Sequence, residues 1–432
     1  MIKSSFLRQS IIALVVKTSA AGLSFAMFLA LARALPSDAF GQMGFAFSLA
    51  TLLSVVGSFG QRALVLKYAS IHTADGNNAA LGGVLMFGYQ RILLGGVALC
   101  LALAAWVLLT GSNARYLMWA GPLALALSLA EFQAHFLRAY DTMIAALVPR
   151  DIIWRLAVIA SAGALIWTNS TDASAALALA IMTLSLLFIA AVQLAHQKTM
   201  RSLLRAPLPV PDSMARLWHR TSLGLWGVSM VKSAGPNLAV VMLGVILTPA
   251  ETGPFFSALR VSMVLSLFLM AANMAGASGI ARSFAQTDQS GLQHICTSAA
   301  RAIALPTIAG FILIALLGKP VLRLFGEGFD AAYVPLLILS AGYLISALSG
   351  PTALVMETTG HERPYFRILT RITCLFLALM PLAIYVGGIT GAAAMLAGNM
   401  IATQLLCYRY ILRELHIAPG ILSRRPHAAA YD

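Results

Sequence analysis

The stretch LVVKTSAAGL (14–23) carries one charge, Lys17, in a run that otherwise belongs in hydrocarbon. An ammonium group at the centre of a bilayer costs roughly 2.5 to 3.5 kcal/mol on insertion scales, so the residue needs a use. Far downstream the text returns: VVKTSA (15–20) is echoed by MVKSAG (230–235), which sets Lys17 and Lys232 215 residues apart. Lys67 and Arg282 keep the same spacing, and Arg91 and Arg301, each opening a long apolar run, stand 210 apart. Apolar text repeats easily by chance; an intramembrane lysine does not. The chain therefore reads as two related helical halves with a parallel internal repeat.

Composition supports the membrane reading. The 432 residues are 59% hydrophobic and 10% charged, with a mean hydropathy of +0.84, outside the range of soluble globular domains. A helix needs about 20 apolar residues to cross about 30 Å of hydrocarbon. Twelve such runs are expected, at 10–32, 42–66, 92–110, 116–137, 152–168, 175–195, 218–247, 255–277, 299–317, 334–355, 368–386 and 392–410. The predicted fold is an all-α polytopic membrane protein, its twelve helices forming two pseudo-symmetric six-helix lobes around a central cavity. The domains divide as an N-terminal lobe (1–197), a basic proline-rich linker holding PLPVP (198–217), a C-terminal lobe (218–413) and a tail (414–432). Lys3 and Arg8 before an apolar run look like a signal peptide, but the run's length and Lys17 make it an uncleaved first span.

Of the 29 Lys and Arg, only Arg33, Arg115, Lys319 and Arg323 fall in loops on one side, and Lys17, Lys232 and Arg260 lie within spans. The others mark the cytoplasmic side, with both termini inside. The net charge of +14 is then topology and lipid contact, and no nucleic-acid partner is expected. The four cysteines, Cys100, Cys296, Cys374 and Cys407, lack paired spacing and read as packing residues, with neither a disulfide nor a metal site. No phosphate-cradling loop, His-Glu-x-x-His or G-x-S-x-G is present, so neither catalytic residues nor a cofactor is expected.

Counted from Gln9, Lys17 lies eight residues into its span, about 12 Å, and Lys232 lies ten beyond Ser222, about 15 Å. Two readings follow: lysines paired with carboxylates or carbonyls to hold helices together, or two cations facing one anionic cargo in a wet interior. On the second reading Lys17, Lys232, Arg260, Arg91 and Arg301 are candidate cations of the lumen. Gly22, Gly235, Pro236 and Pro306 are candidate hinges lining it. Glu131 with His135, and Glu357 with His361, share an i, i+4 spacing suited to ion or proton coupling. Asp151 and Arg155 are four apart and predict an intrahelical ion pair, with Arg150 at the rim. All fifteen acidic residues are expected near span ends or in loops.

Three stretches carry a resemblance: LPSDAFGQMGFAFSLATLLSVVGSFGQRALVLKYAS (35–70), GKPVLRLFGEGFDAAYVPLLILS (318–340) and METTGHERPYFR (356–367). In order and spacing they resemble the polysaccharide transporter branch of the multidrug/oligosaccharidyl-lipid/polysaccharide exporter superfamily. The resemblance implies a flippase for an undecaprenyl-diphosphate-linked oligosaccharide in a bacterial inner membrane, working by alternating access with a cationic lumen. It implies as partners the lipid-linked glycan, the phospholipid bilayer and, in surface polysaccharide assembly, a polymerase and chain-length machinery; a monomer is expected. A multidrug extruder of the same superfamily would carry acidic residues where this chain carries lysine. A non-transporting scaffold would need no polar interior.

Overall fold

The computed structural model describes residues 2–110, 114–168, 173–205 and 211–421, with the side chains of 2–11, 13, 205 and 275 outside the description. Lys3, Arg8 and most of the PLPVP stretch, named above, lie outside it in side chain or altogether. The described residues are helical throughout, with short turns between. In hydrocarbon no water satisfies backbone N–H and C=O groups, so a helix, which bonds them internally, is the form such apolar runs take.

The helices in chain order are α1 (Ile2–Ala34), α2 (Ser37–Gly57), α3 (Gln61–Ala74), α4 (Asn78–Thr110), α5 (Ala120–Tyr140), α6 (Met143–Val148), α7 (Trp154–Trp167) and α8 (Ala175–His196). They continue as α9 (Lys198–Arg205), α10 (Asp212–Ile246), α11 (Pro249–Ser262), α12 (Ser266–Ala285), α13 (Gln289–Arg323), α14 (Tyr333–Leu348), α15 (Thr352–Thr358) and α16 (Glu362–Glu414). Among the described residues ten helices, some joined through short turns, are long and apolar enough to cross a membrane. α16 folds back at Gly388 (φ 54°, ψ −137°) and supplies two crossings. The expected fifth span, 152–168, falls on α7, which a π-helical turn (Pro149–Ile153) joins to α6 and which is not one of the ten. Hydropathy had therefore located the helical runs, but it missed where they bend.

Two compact units emerge, Met1–Gly244 and Val245–Asp432. The division falls inside α10, a span later than the linker at which the sequence divides. The packing explains it: Trp218 joins Leu64 and Val84 in a buried cluster, and the Trp226 indole donates to the Val55 carbonyl at 3.0 Å. The second span, read from sequence as continuous from 42 to 66, is broken at Phe59 (φ 44°) and Gly60 (φ 74°). Gly60 is required twice over: its left-handed φ suits glycine, and a Cβ there would sit 2.2 Å from the Ser222 carbonyl oxygen of α10. The core of the first unit lies between α3, α4 and α5, where Val65, Leu81, Leu85, Phe132 and Phe136 are buried, and Met200 of α9 closes its end. The second unit is built around Ile280, Cys296, Met356, Cys407 and Ile411. Its first helix starts at a capping box in which Thr248 and Glu251 bond each other's backbone and side chain.

Candidate functional site

Charge converges inside the first unit. The Lys17 ammonium meets Asp151 Oδ2 at 2.5 Å, and the Asp151 side chain is 3% exposed against 32% for Lys17. Arg155, one turn along, holds the other carboxylate oxygen at 3.3 Å and also donates to the Asp151 carbonyl and, from Nε, to Ser24 Oγ of α1 at 2.6 Å. A second carboxylate does the same work nearby. Glu131 of α5 accepts from Arg62 through one oxygen and from Arg150 Nη2 through the other at 2.6 Å. Arg62 also reaches Ser54 Oγ at 2.9 Å, and Ser128 Oγ donates to the Ser54 carbonyl at 2.9 Å, so α2, α3 and α5 are stitched together beneath the ion pairs.

Local structure places these groups. The break at Phe59–Gly60 starts α3 afresh, and Arg62 stands on its second residue. The π turn at Pro149–Ile153 widens the helix where Arg150 and Asp151 leave it, so the two adjacent residues serve different carboxylates. Counting histidine as neutral, four cations (Lys17, Arg62, Arg150, Arg155) face two carboxylates (Glu131, Asp151), a formal surplus of two positive charges. In a low-dielectric interior such a surplus is costly unless an anion joins it.

Two sequence expectations change. Asp151 is not at a span end: it is 2% exposed and lies within a helical run that begins nine residues earlier than the hydropathy suggested. Glu131 likewise points into the unit, so the acidic residues are not confined to ends and loops. The intrahelical pair of Asp151 and Arg155 is present. His135 does not face the Glu131 carboxylate; its Nδ1 lies 2.7 Å from the Glu131 backbone oxygen. Glu357 and His361 do not share a helix at all, because α15 ends at Thr358 and Gly360 takes φ +80°. His361 instead pairs with Thr359 Oγ1 at 2.9 Å.

The remaining candidates are spread more widely. Lys17, Glu131 and His135 share the cluster, while Lys232 is exposed on α10 in the same unit. Arg91 is exposed with its guanidinium over the Phe87 ring at 5.2 Å. In the second unit Arg260 stacks on Phe256 at 4.5 Å, and Arg301 is exposed. The main chain is helical through Gly22, Gly235, Pro236 and Pro306. Pro236 lacks the N–H that would bond the Lys232 carbonyl, and Asn237 Nδ2 bonds the next one, that of Ser233, at 3.1 Å. By sequence Arg62 is only one of the cations that mark the cytoplasmic side, and its role was missed. The signals were GSFG (57–60), which allows a break, and RDIIWR (150–155), three charges in six residues beside an apolar run.

Residues 6–277 match the family described as "Polysaccharide biosynthesis protein". No curated protein matches the chain significantly. Among solved structures it is similar to an inward-facing multidrug resistance MATE family transporter of the MOP superfamily, at 13% identity over 93% of this chain and 97% of that one, with a TM-score of 0.75. It is also similar to MATE in complex with MaL6 (14% identity, 94% of each chain, TM-score 0.63) and to an outward-facing multidrug resistance MATE family transporter (14%, 94% of each chain, 0.56). At these identities the likeness is one of fold, and the fold is the one these membrane transporters share.

Proposed function

Because the chain belongs to the polysaccharide biosynthesis protein family, we propose that it is a flippase carrying an undecaprenyl-diphosphate-linked oligosaccharide across a bacterial inner membrane. The cargo would feed O-antigen, capsule or exopolysaccharide assembly. The observation that carries this reading is the charge surplus in the first unit. A diphosphate diester brings about two negative charges, which matches the formal excess, and arginine forks suit phosphate oxygens. Lys17 holds its helix through Asp151 and still presents a third of its side chain outward, so pairing and cargo contact are compatible. In this reading the termini are cytoplasmic, and the cluster lies toward the cytoplasmic ends of the first, second, fourth and fifth spans, where a lipid-linked precursor made inside would arrive. The cycle is alternating access, with the polyprenyl tail left in lipid.

Cation-coupled drug extrusion is less well supported. That reading needs a carboxylate available to a cationic drug or coupling ion, and both Glu131 and Asp151 are already held by two cations each.

The test uses a variant that removes the surplus without stranding a carboxylate. Arg150→Gln with Arg155→Gln leaves Arg62 on Glu131 and Lys17 on Asp151, a neutral cluster. In a strain that depends on this gene for surface polysaccharide, the double variant is expected to reach the membrane at normal abundance and to lose most surface polysaccharide. Undiminished display would remove the basis for an anionic cargo.

A further inference from the structure

Far from the charge cluster in sequence, the two limbs of α16 enclose a cavity of about 350 Å³, open to the outside and lined by Arg367, Arg371, Ile368, Ile372, Leu406 and Tyr410. Thr373 meets Asn399 at 3.4 Å, so the limbs run side by side from the fold at Gly388 to this open end. Arg367 and Arg371 are one helical turn apart on the same face, both exposed, and neither is paired with a carboxylate among the described residues. Like charges at this spacing repel unless an anion lies between them.

We propose that this cavity holds the phosphate head of an anionic bilayer lipid. Three features select that occupant. The guanidinium pair offers two planar forks, the geometry that grips phosphate oxygens. Arg371 immediately precedes the apolar text ITCLFLALM (372–380), which puts the pair at the edge of the hydrocarbon, at the level of lipid phosphates. Ile368, Ile372 and Leu406 form apolar walls against which a glycerol and acyl chain can lie, and Tyr410 has the half-apolar, half-polar character favoured at the membrane interface. A water-soluble anion would have no use for those walls. Arg409 and Arg413 stand on the same end of α16, exposed but outside the cavity lining, and provide the control for charge alone. The site is independent of the cargo proposed above, and its test does not involve transport.

The experiment uses the full-length protein purified in an uncharged detergent and reads the thermal midpoint and bound lipid by native mass spectrometry. Phosphatidylglycerol is expected to bind and raise the midpoint, and phosphatidylcholine is not. Arg367→Gln/Arg371→Gln should weaken phosphatidylglycerol binding by about tenfold or more, as expected for the loss of charge-assisted hydrogen bonds. Arg371→Lys, which keeps the charge and loses the fork, should fall between, and Arg409→Gln/Arg413→Gln should bind as the unaltered protein does. Because both arginines are exposed, the unliganded midpoint of the double variant should stay unchanged; a fall there is separated from binding by the Arg371→Lys series. Equal binding by the cavity and control variants would overturn the proposal. So would equal stabilisation by phosphatidylcholine, or a loss of farnesyl diphosphate binding in Arg367→Gln/Arg371→Gln larger than the loss of phosphatidylglycerol binding.

Discussion

In the first unit Glu131 and Asp151 are each enclosed by two cations, drawn from α1, α3, the π turn and α7. In the second unit Arg323 and Asp330 pair on an exposed surface, and Arg367 and Arg371 open onto a cavity at the end of α16. The halves share a repeated text, yet Glu131 is not part of it: the positions 210 to 215 residues beyond it, AGYLIS (341–346), hold no carboxylate, whereas Glu362 stands 211 residues beyond Asp151. Among the described residues the network of four cations on two carboxylates is formed within the first unit.

The difference can be broken by substitution. Asp151→Ala strands Lys17 and Arg155 beside each other and is expected to cost about 3 kcal/mol, the low end for a broken buried pair because Lys17 is one-third exposed. It should appear as a fall in the thermal midpoint in detergent, partly recovered in Lys17→Met/Asp151→Ala, where Arg155 is the one cation that still lacks its carboxylate. Arg260→Gln in the second unit removes a guanidinium stacked on Phe256 and should cost about 1 kcal/mol or less. Equal losses would erase the contrast between the units.

A smaller effect separates the two backbones. Gly60→Ala meets both a left-handed φ of 74° and the Ser222 carbonyl, and should cost about 2 to 3 kcal/mol. Gly360→Ala has a similar φ of 80° but open space around its Cβ, so only the strain of about 1 kcal/mol remains. Thermal midpoints of the two variants, measured side by side, read out the tight approach of α10 to Gly60.

The smallest effect lies at the start of α13, outside the spans. The Gly291 backbone N–H, at 2.8 Å, and then the Ser290 hydroxyl hold the exposed Asp288 carboxyl below its ordinary value. A lowered carboxyl stabilises above the ordinary value and loses that contribution as pH falls through the lowered one. Asp288→Ala should therefore speed amide exchange in the first turn of α13 at neutral pH, and the difference should narrow below about pH 4.

Much of the scaffold was legible in sequence because a membrane span is written as bulk hydrophobicity. Of the site, Lys17, Glu131 and the Asp151–Arg155 pair were legible one by one, but their convergence was not. Lys17 stood out because an ammonium in apolar text is costly, but its partner Asp151 is 134 residues away and no local pattern links them. Arg150 was assigned to the rim because the fifth span was read as starting beside it, and Arg62 was counted only among the cytoplasmic-side cations. The break at Gly60 and the π turn at Pro149–Ile153 bring both onto Glu131. Such breaks depend on what another helix does: Gly60 is required by Ser222 of α10, which local text cannot announce.

The central claim, that surplus positive charge in the first unit receives a lipid-linked diphosphate, is tested most directly by binding. Farnesyl diphosphate titrated onto the purified protein should bind the unaltered chain and bind Arg150→Gln/Arg155→Gln at least about tenfold more weakly, at unchanged thermal midpoint. Equal affinity for the neutral cluster would contradict the account.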